Sequence, residues 1–406
     1  MAKILWLNWS GGGNLPPSLG IARVLTERGH EVAFAGRPEM VPRVAAAGFR
    51  AIELSQAYAE VERYPQNHFM TRAACYLTSP AVAAQVQSVV EAEAPDLVLI
   101  DAMFPAALAQ AAGFGLPTAV VVHTFIFRQL DMWRRIFTMF DGMRQQAGFG
   151  SLPAVDELWR ARDRIIVTTL ADFDAAPVPG WEMVRHAGPA LEDERHATPA
   201  ALPWPDSDPT PLVLMSFSTG FEQRSVEKLQ RGLDALAPLP VHVVATTGGI
   251  VGPGELITPR NAVALSYAAH DPIMRRAAMV VTHGGHGTAM RSLRYGVPMV
   301  VIPGLAGDQP YVAAAVQEWG VGRALAGDAD VEAIRAAASE VLSTPSYGLK
   351  AKQRAKALAG VDGAANAAGE VETLLAARGR IRGASTVCSD RAPMSVSLSP
   401  TAAPGS

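Results

Sequence analysis

Between Ala278 and Tyr311 the chain reads AMVVTHGGHGTAMRSLRYGVPMVVIPGLAGDQPY, and this stretch most narrows the folds open to it. Met279–Val281 is a short apolar run of the kind that forms a strand buried in a parallel sheet. Thr282–Thr288 then breaks into a glycine-rich turn, and Ala289–Tyr295 resumes as a helix stopped by Gly296 and Pro298. A second apolar strand, Met299–Ile302, leads into a loop carrying Asp308 and Gln309. The N-terminus of such a helix offers free backbone N–H groups that attract phosphate oxygens, and the glycines let a phosphate come close. His283 adds a donor suited to a diphosphate. The glycines alone leave open a plain strand–turn–helix capped by Thr282 or Thr288.

The same unit opens the chain. Residues 3–8 predict a central strand, Gly11–Asn14 a turn, and Pro16-Pro17 the first turn of a helix to about Arg28, where a missing N–H has no helical partner. Glu31–Ala35 follows as a second strand, which completes half of a doubly wound sheet. A dinucleotide site wants a third glycine at G-x-G-x-x-G spacing and an acid ending the second strand. This chain has neither, which disfavours NAD. Further strands are expected at Leu97–Ile100 and Thr118–Val122, with Ile165–Thr169 as the last of this half. Residues 55–79 lack a clear period and read as a long binding loop containing His68.

Prolines crowd between 189 and 211, the best candidate for an interdomain linker. A second strand–helix series starts at Leu212–Ser216. The expected architecture is α/β, with two facing Rossmann-like, doubly wound parallel-sheet domains and the ligand between them beyond the carboxyl ends of the strands. The boundaries read as 1–188, a linker at 189–211, a second domain at 212–363, a helix at 364–379 and a disordered tail at 380–406.

A net charge of −3 gives no basic surface for nucleic acid. Two unrelated cysteines, Cys75 and Cys388, argue against a disulfide framework and favour a cytoplasmic compartment. No run of eighteen apolar residues suggests a membrane-spanning helix.

The block from His283 to Asp308-Gln309 resembles the donor-site signature of GT-B glycosyltransferases, nucleotide-sugar-dependent enzymes of the kind that glycosylate natural products, in particular the bacterial macrolide and antibiotic type. The resemblance extends over roughly the first 379 residues. It implies that 364–379 crosses back onto the first domain. It also implies that His283, Gly285, Gly287 and Thr288 hold the donor diphosphate, and that Asp308 and Gln309 contact the sugar. Ser218 and Thr219 take the family's hydroxyl and backbone positions for the phosphates, and Tyr267 and Ala268 the base-reading segment, here without its usual proline. Arg291 stands where a ribose-binding Glu is common, and reads either as a phosphate contact or as part of a solvated helix face. No metal and no cofactor beyond the nucleoside-diphosphate sugar is expected.

The first half would bind a small apolar acceptor and supply the base. Phe127, Trp133 and Phe137 read either as helix core or as an acceptor pocket, with His68 in the preceding loop. The family's catalytic His corresponds to Asn14, which cannot take a proton usefully, while its partner Asp corresponds to Asp101. Four readings stand. Asp101 is itself the base, or His123 or His68 replaces the missing imidazole, or the acceptor needs little base help, or the chain lacks transferase activity. The implied activity is inverting transfer from a UDP or dTDP sugar to a small acceptor. The rivals are a catalytically silent relative that assists a partner enzyme and a sugar-nucleotide epimerase. The sugar, the acceptor and the oligomeric state are not readable from these residues.

Overall fold

A computed structural model describes residues 1–406 apart from 10–11, 66–67, 193, 195–196, 206, 218–224, 305–306 and 390–406. The first sheet has seven strands: β1 Lys3–Asn8, β2 Glu31–Gly36, β3 Arg50–Glu53, β4 Leu97–Asp101, β5 Thr118–Val122, β6 Arg164–Val167 and β7 Val184–His186. Its spatial order is β3-β2-β1-β4-β5-β6-β7. The second has six: β8 Leu212–Ser216, β9 His242–Thr246, β10 Ala262–Leu265, β11 Ala277–Thr282, β12 Met299–Val301 and β13 Gly322–Ala324, ordered β10-β9-β8-β11-β12-β13. Every pairing is parallel. These are the two doubly wound sheets that the alternating strand and helix signals require.

The apolar runs are continuous because each central strand is covered on both faces. In β1, Ile4 and Trp6 pack with Leu19 and Val371 on one face, while Leu5 and Leu7 pack with Val86 and Phe104 on the other. The strand order reverses between β1 and β4 in one half and between β8 and β11 in the other. There the register pairs Leu7 with Ile100 and Ser216 with Thr282. A crevice therefore opens beyond Asn8 and Asp101, and another beyond Ser216 and Thr282.

The last helix, Gly363–Ser389, returns to the first half. Ala364, Ala367, Ala368 and Val371 are buried against the helix Leu15–Glu27. Small side chains let the two helices approach closely, and Glu372 pairs with Arg28 at 2.7 Å at the edge. The helix runs past residue 379 into the stretch read as a tail, and residues 390–406 lie outside the described residues. Among the described residues no helix is long and apolar enough to cross a membrane.

Two sequence readings are corrected. β6 is followed by β7, so it is not the last strand of its half. Residues 55–79 are not one irregular loop: Tyr58–Val61 and Phe69–Thr78 are helices, and Tyr76 is fully buried with its hydroxyl donating to Leu54 O at 2.9 Å.

Candidate functional site

The two halves meet at the carboxyl ends of their sheets. On the first side, β4 ends in Asp101 and β5 runs into His123, so neighbouring parallel strands deliver a carboxylate and an imidazole to the same edge. Asp101 is 1% exposed. Its Oδ1 accepts the Met103 N–H at 2.8 Å, and its Oδ2 accepts Asn14 Nδ2 at 2.7 Å. His123 Nε2 lies 3.1 Å from the same Oδ2. Asn14 also donates to Trp9 O at 2.7 Å, which ties the turn after β1 to this carboxylate.

The proton inventory fixes the imidazole tautomer. Ser18 Oγ spends its proton on Asn14 O at 3.0 Å and accepts Asn8 Nδ2 at 2.8 Å. Neither Ser18 nor the acceptor-only Asp101 has a proton left for Nε2, so Nε2 carries its own and Nδ1 keeps a lone pair. His123 Nδ1 is buried and has no hydrogen-bond partner among the described residues. His68 is exposed and precedes the helix Phe69–Thr78, with no contact to this group.

Phe127, Trp133 and Phe137 are 8%, 5% and 6% exposed. Trp133 and Phe137 meet Trp159 at ring-centroid distances of 5.3 and 6.1 Å, and Phe127 meets Trp181 at 6.1 Å. Trp133 Nε1 donates to Phe125 O at 3.0 Å. The structure therefore packs these three in the core rather than leaving them on an open pocket wall.

On the second side, β11 ends at Thr282 and the helix His286–Tyr295 begins after Gly284-Gly285, with no side-chain cap at its N-terminus. Gly284 has φ of +87°, and a Cβ there would come within 2.9 Å of Val301 and 3.1 Å of Gln309 O. A Cβ on Gly285 would meet His283 Nε2 at 2.7 Å, whereas Gly287 faces open space. Thr288 lies half-buried in the same first turn. Gln309 is buried and its Oε1 accepts the Gly304 N–H at 2.6 Å. Burial pushes the Asp308 carboxyl up, opposed by the backbone N–H groups of Asp308 itself and of His286. Ser218 and Thr219 lie outside the described residues.

His286 joins the halves. Its Nε2 lies 2.8 Å from Thr169 Oγ1, its ring stands edge-on to Phe125 at 5.6 Å, and it is near enough to His123 for the two charges to interact. Asp101, His123, Asp308 and the turn at His283–His286 thus lie together along the seam between the halves.

Tyr267 is 72% exposed and its hydroxyl lies 3.3 Å from Glu194 Oε1, while Ala268 is buried beside it. Glu194, in the segment before β8, also accepts the backbone N–H groups of His270 at 2.7 Å and Asp271 at 3.3 Å. Arg291 meets neither sequence expectation. It is 7% exposed, pairs with Asp271 and with Glu194 at 3.3 Å, and donates to Glu192 O at 3.0 Å. Sequence reasoning missed this network because its members are far apart in the chain. Among the described residues no three His, Cys, Asp or Glu side chains converge as metal ligands.

Burial holds three imidazoles neutral. His270 and His283 are pushed down to about 4, and His286 to about 3, from an ordinary 6.5. An unfolded chain binds protons at these sites near pH 6.5 and the folded one only near 4. Stability is therefore expected to fall as pH drops below 6.5. Urea midpoints should decline steadily from there to about pH 4.5, above the range where most carboxylates titrate; a flat profile would contradict the buried neutral imidazoles.

Residues 230–374 match the family model described as "Erythromycin biosynthesis protein CIII-like, C-terminal domain". The chain is 32% identical over 183 residues to UDP-glucosyltransferase B1 of Starmerella bombicola, covering 43% of this chain and 42% of that protein. It is 23% identical over 386 residues to NDP-glycosyltransferase YjiC of Bacillus subtilis (strain 168), covering 92% and 97%. CalG4, the calicheamicin glycosyltransferase, superposes with a TM-score of 0.73 at 22% identity, covering 93% of this chain and 98% of that one. Residues 230–374 thus resemble that family's C-terminal domain, and the fold is the one CalG4 shares. In this chain the first sheet contributes Asp101 and His123 to the seam between the halves, and the second contributes the uncapped helix and Asp308.

Proposed function

We propose that the protein moves a sugar, with inversion, from a UDP or dTDP donor onto a hydroxyl of a small, largely apolar natural product. The observation that carries this reading is His123 Nδ1, without a partner among the described residues, on an imidazole held by Asp101 and close to His286 of the donor half. The acceptor oxygen attacks the anomeric carbon, its proton passes to His123 Nδ1, and the bond to the diphosphate oxygen breaks in the same displacement. Asp101 holds the imidazole in place and stabilises it once protonated. Asn14 keeps Asp101 in position from the site that the family resemblance gives to an imidazole. The N–H groups of Gly287 and Thr288 at the start of the helix His286–Tyr295, together with His283 and Gly285, receive the diphosphate. Asp308 and Gln309 receive the sugar.

The test is to incubate the protein with several UDP and dTDP sugars and a panel of phenolic and polyketide acceptors. Nucleoside diphosphate should be released only when an acceptor is present, and product NMR should show the inverted anomer. Turnover of donor alone would point to an epimerase, and donor binding without turnover in any pairing to a silent relative. Replacing His283 with alanine removes the side chain that shapes the diphosphate turn, so the donor KM is expected to rise and kcat to fall by about 10-fold or more. Unchanged donor kinetics would remove His283 from the diphosphate site.

A further inference from the structure

We propose that Lys228 supplies the positive charge that the donor diphosphate meets in the second half of the cleft. This rests on the reading of the protein as a sugar-nucleotide transferase. As the bond to the anomeric carbon breaks, negative charge builds on the leaving diphosphate, and the site must answer it. The histidines there do not, because His270, His283 and His286 are held neutral by burial. Arg291 does not either, because Asp271 and Glu194 already occupy it.

Lys228 stands on the wrong face of its helix for an ordinary lysine. The helix Val226–Leu236 turns Leu229, Gly232, Leu233 and Leu236 to the sheet. Lys228 is one turn before Gly232 on that same row. The row lies directly on the sheet: a Cβ on Gly232 would come within 2.6 Å of Met215 Sδ and 3.9 Å of the Phe217 ring. Lys228 Nζ sits 5.6 Å from the centroid of that ring, and the Phe217 ring is 6.4 Å from the His283 ring. The ammonium is close enough to His283 to help keep the imidazole uncharged.

No carboxylate pairs with Lys228 among the described residues; Glu227 precedes it in the first turn, and the charge that acts on its ammonium is Arg231, another cation. Burial pushes its ammonium down to about 8, so at neutral pH it stays charged in a place that disfavours charge. A half-buried cation on a core-facing row, without a counter-ion among the described residues, carries a cost that a nearby anion would offset. Contact with the Phe217 face offsets part of it. A diphosphate beside His283 offsets the rest. Lys228 also lies in the first turn of its helix, where Ser225 Oγ accepts its N–H at 3.1 Å, so the helix dipole adds to the same field.

The experiment is calorimetric titration of the full chain, unsubstituted and as Lys228→Gln and Lys228→Arg, with UDP, dTDP, uridine and thymidine. Lys228→Gln is expected to weaken the diphosphate that binds by about 10–100-fold while leaving the matching nucleoside unchanged. Lys228→Arg should keep affinity within about 5-fold, since the charge remains. Retained nucleoside binding shows that the Gln variant is folded. Diphosphate binding by Lys228→Gln as tight as in the unsubstituted protein overturns the assignment. Equal loss of diphosphate and nucleoside also overturns it, by making Lys228 a packing residue. Failure of the unsubstituted protein to bind either diphosphate sinks the transferase reading itself.

Discussion

Replacing Asp101 with asparagine, or His123 with alanine, is expected to lower kcat by about 10²–10⁴-fold while leaving donor affinity within about 2-fold. The two side chains act as one unit. Asp101 Oδ2 fixes Nε2 of His123, and that contact is what leaves the lone pair on Nδ1. Asparagine at 101 keeps the size but presents an amide that cannot stabilise an imidazolium. The double variant should therefore be hardly slower than either single one, because removing half of a unit already removes its function. Added imidazole should recover part of the rate in His123→Ala and none in Asp101→Asn. Steady-state kinetics over a range of pH would decide the matter. If His123→Ala keeps most of the rate, Asp101 is itself the base and the tautomer argument fails. Asn14→His is expected to bring no gain, because His123 already occupies the carboxylate that a new imidazole would need.

The strand pair that carries this unit was legible in the sequence for a physical reason. β4 and β5 are buried on both faces, so Leu97–Asp101 and Thr118–Val122 are unbroken apolar runs with sharp ends. What ends each run is a polar residue at the sheet edge, where an aspartate reads first as a helix cap; the family resemblance is what singled out Asp101, and the same edge position brought in His123. β3, β7 and β13 escaped because they are three or four residues long and carry Arg50, Glu53, Arg185 and Arg323, so they lack that signature. The helix Phe69–Thr78 was hidden for a different reason. Its hold on the sheet depends on Tyr76 reaching Leu54 O, a contact that local pattern does not encode. The aromatic cluster around Trp159 was ambiguous in principle, since core and pocket call for the same side chains. Lys228 did leave a mark: a lysine four residues before Gly232 on a row otherwise turned to the sheet. That mark is readable only once the helix face is known.

Arg291 had no local signal at all, and it carries the other large expectation. Arg291→Met should destabilise the second half by about 3–5 kcal/mol, because it leaves the Asp271 carboxylate buried without a cation. For a unit of this size that is a fall of roughly 10 °C in the midpoint of thermal unfolding. Arg291→Lys should cost less, since the charge survives while the fork that meets Asp271, Glu194 and Glu192 O together is lost. The test of mechanism is the second substitution. If the penalty comes from an orphaned buried charge, adding Asp271→Asn to Arg291→Met should restore part of the lost stability, a coupling that independent sites do not show. Purely additive losses would mean that Arg291 acts through packing. Glu194 gives the network a functional side: it ties the segment before β8 to the N–H groups of His270 and Asp271 and to the Tyr267 hydroxyl. Losing Arg291 frees one side of that carboxylate, so donor affinity should fall along with stability, whereas a surface arginine would change neither.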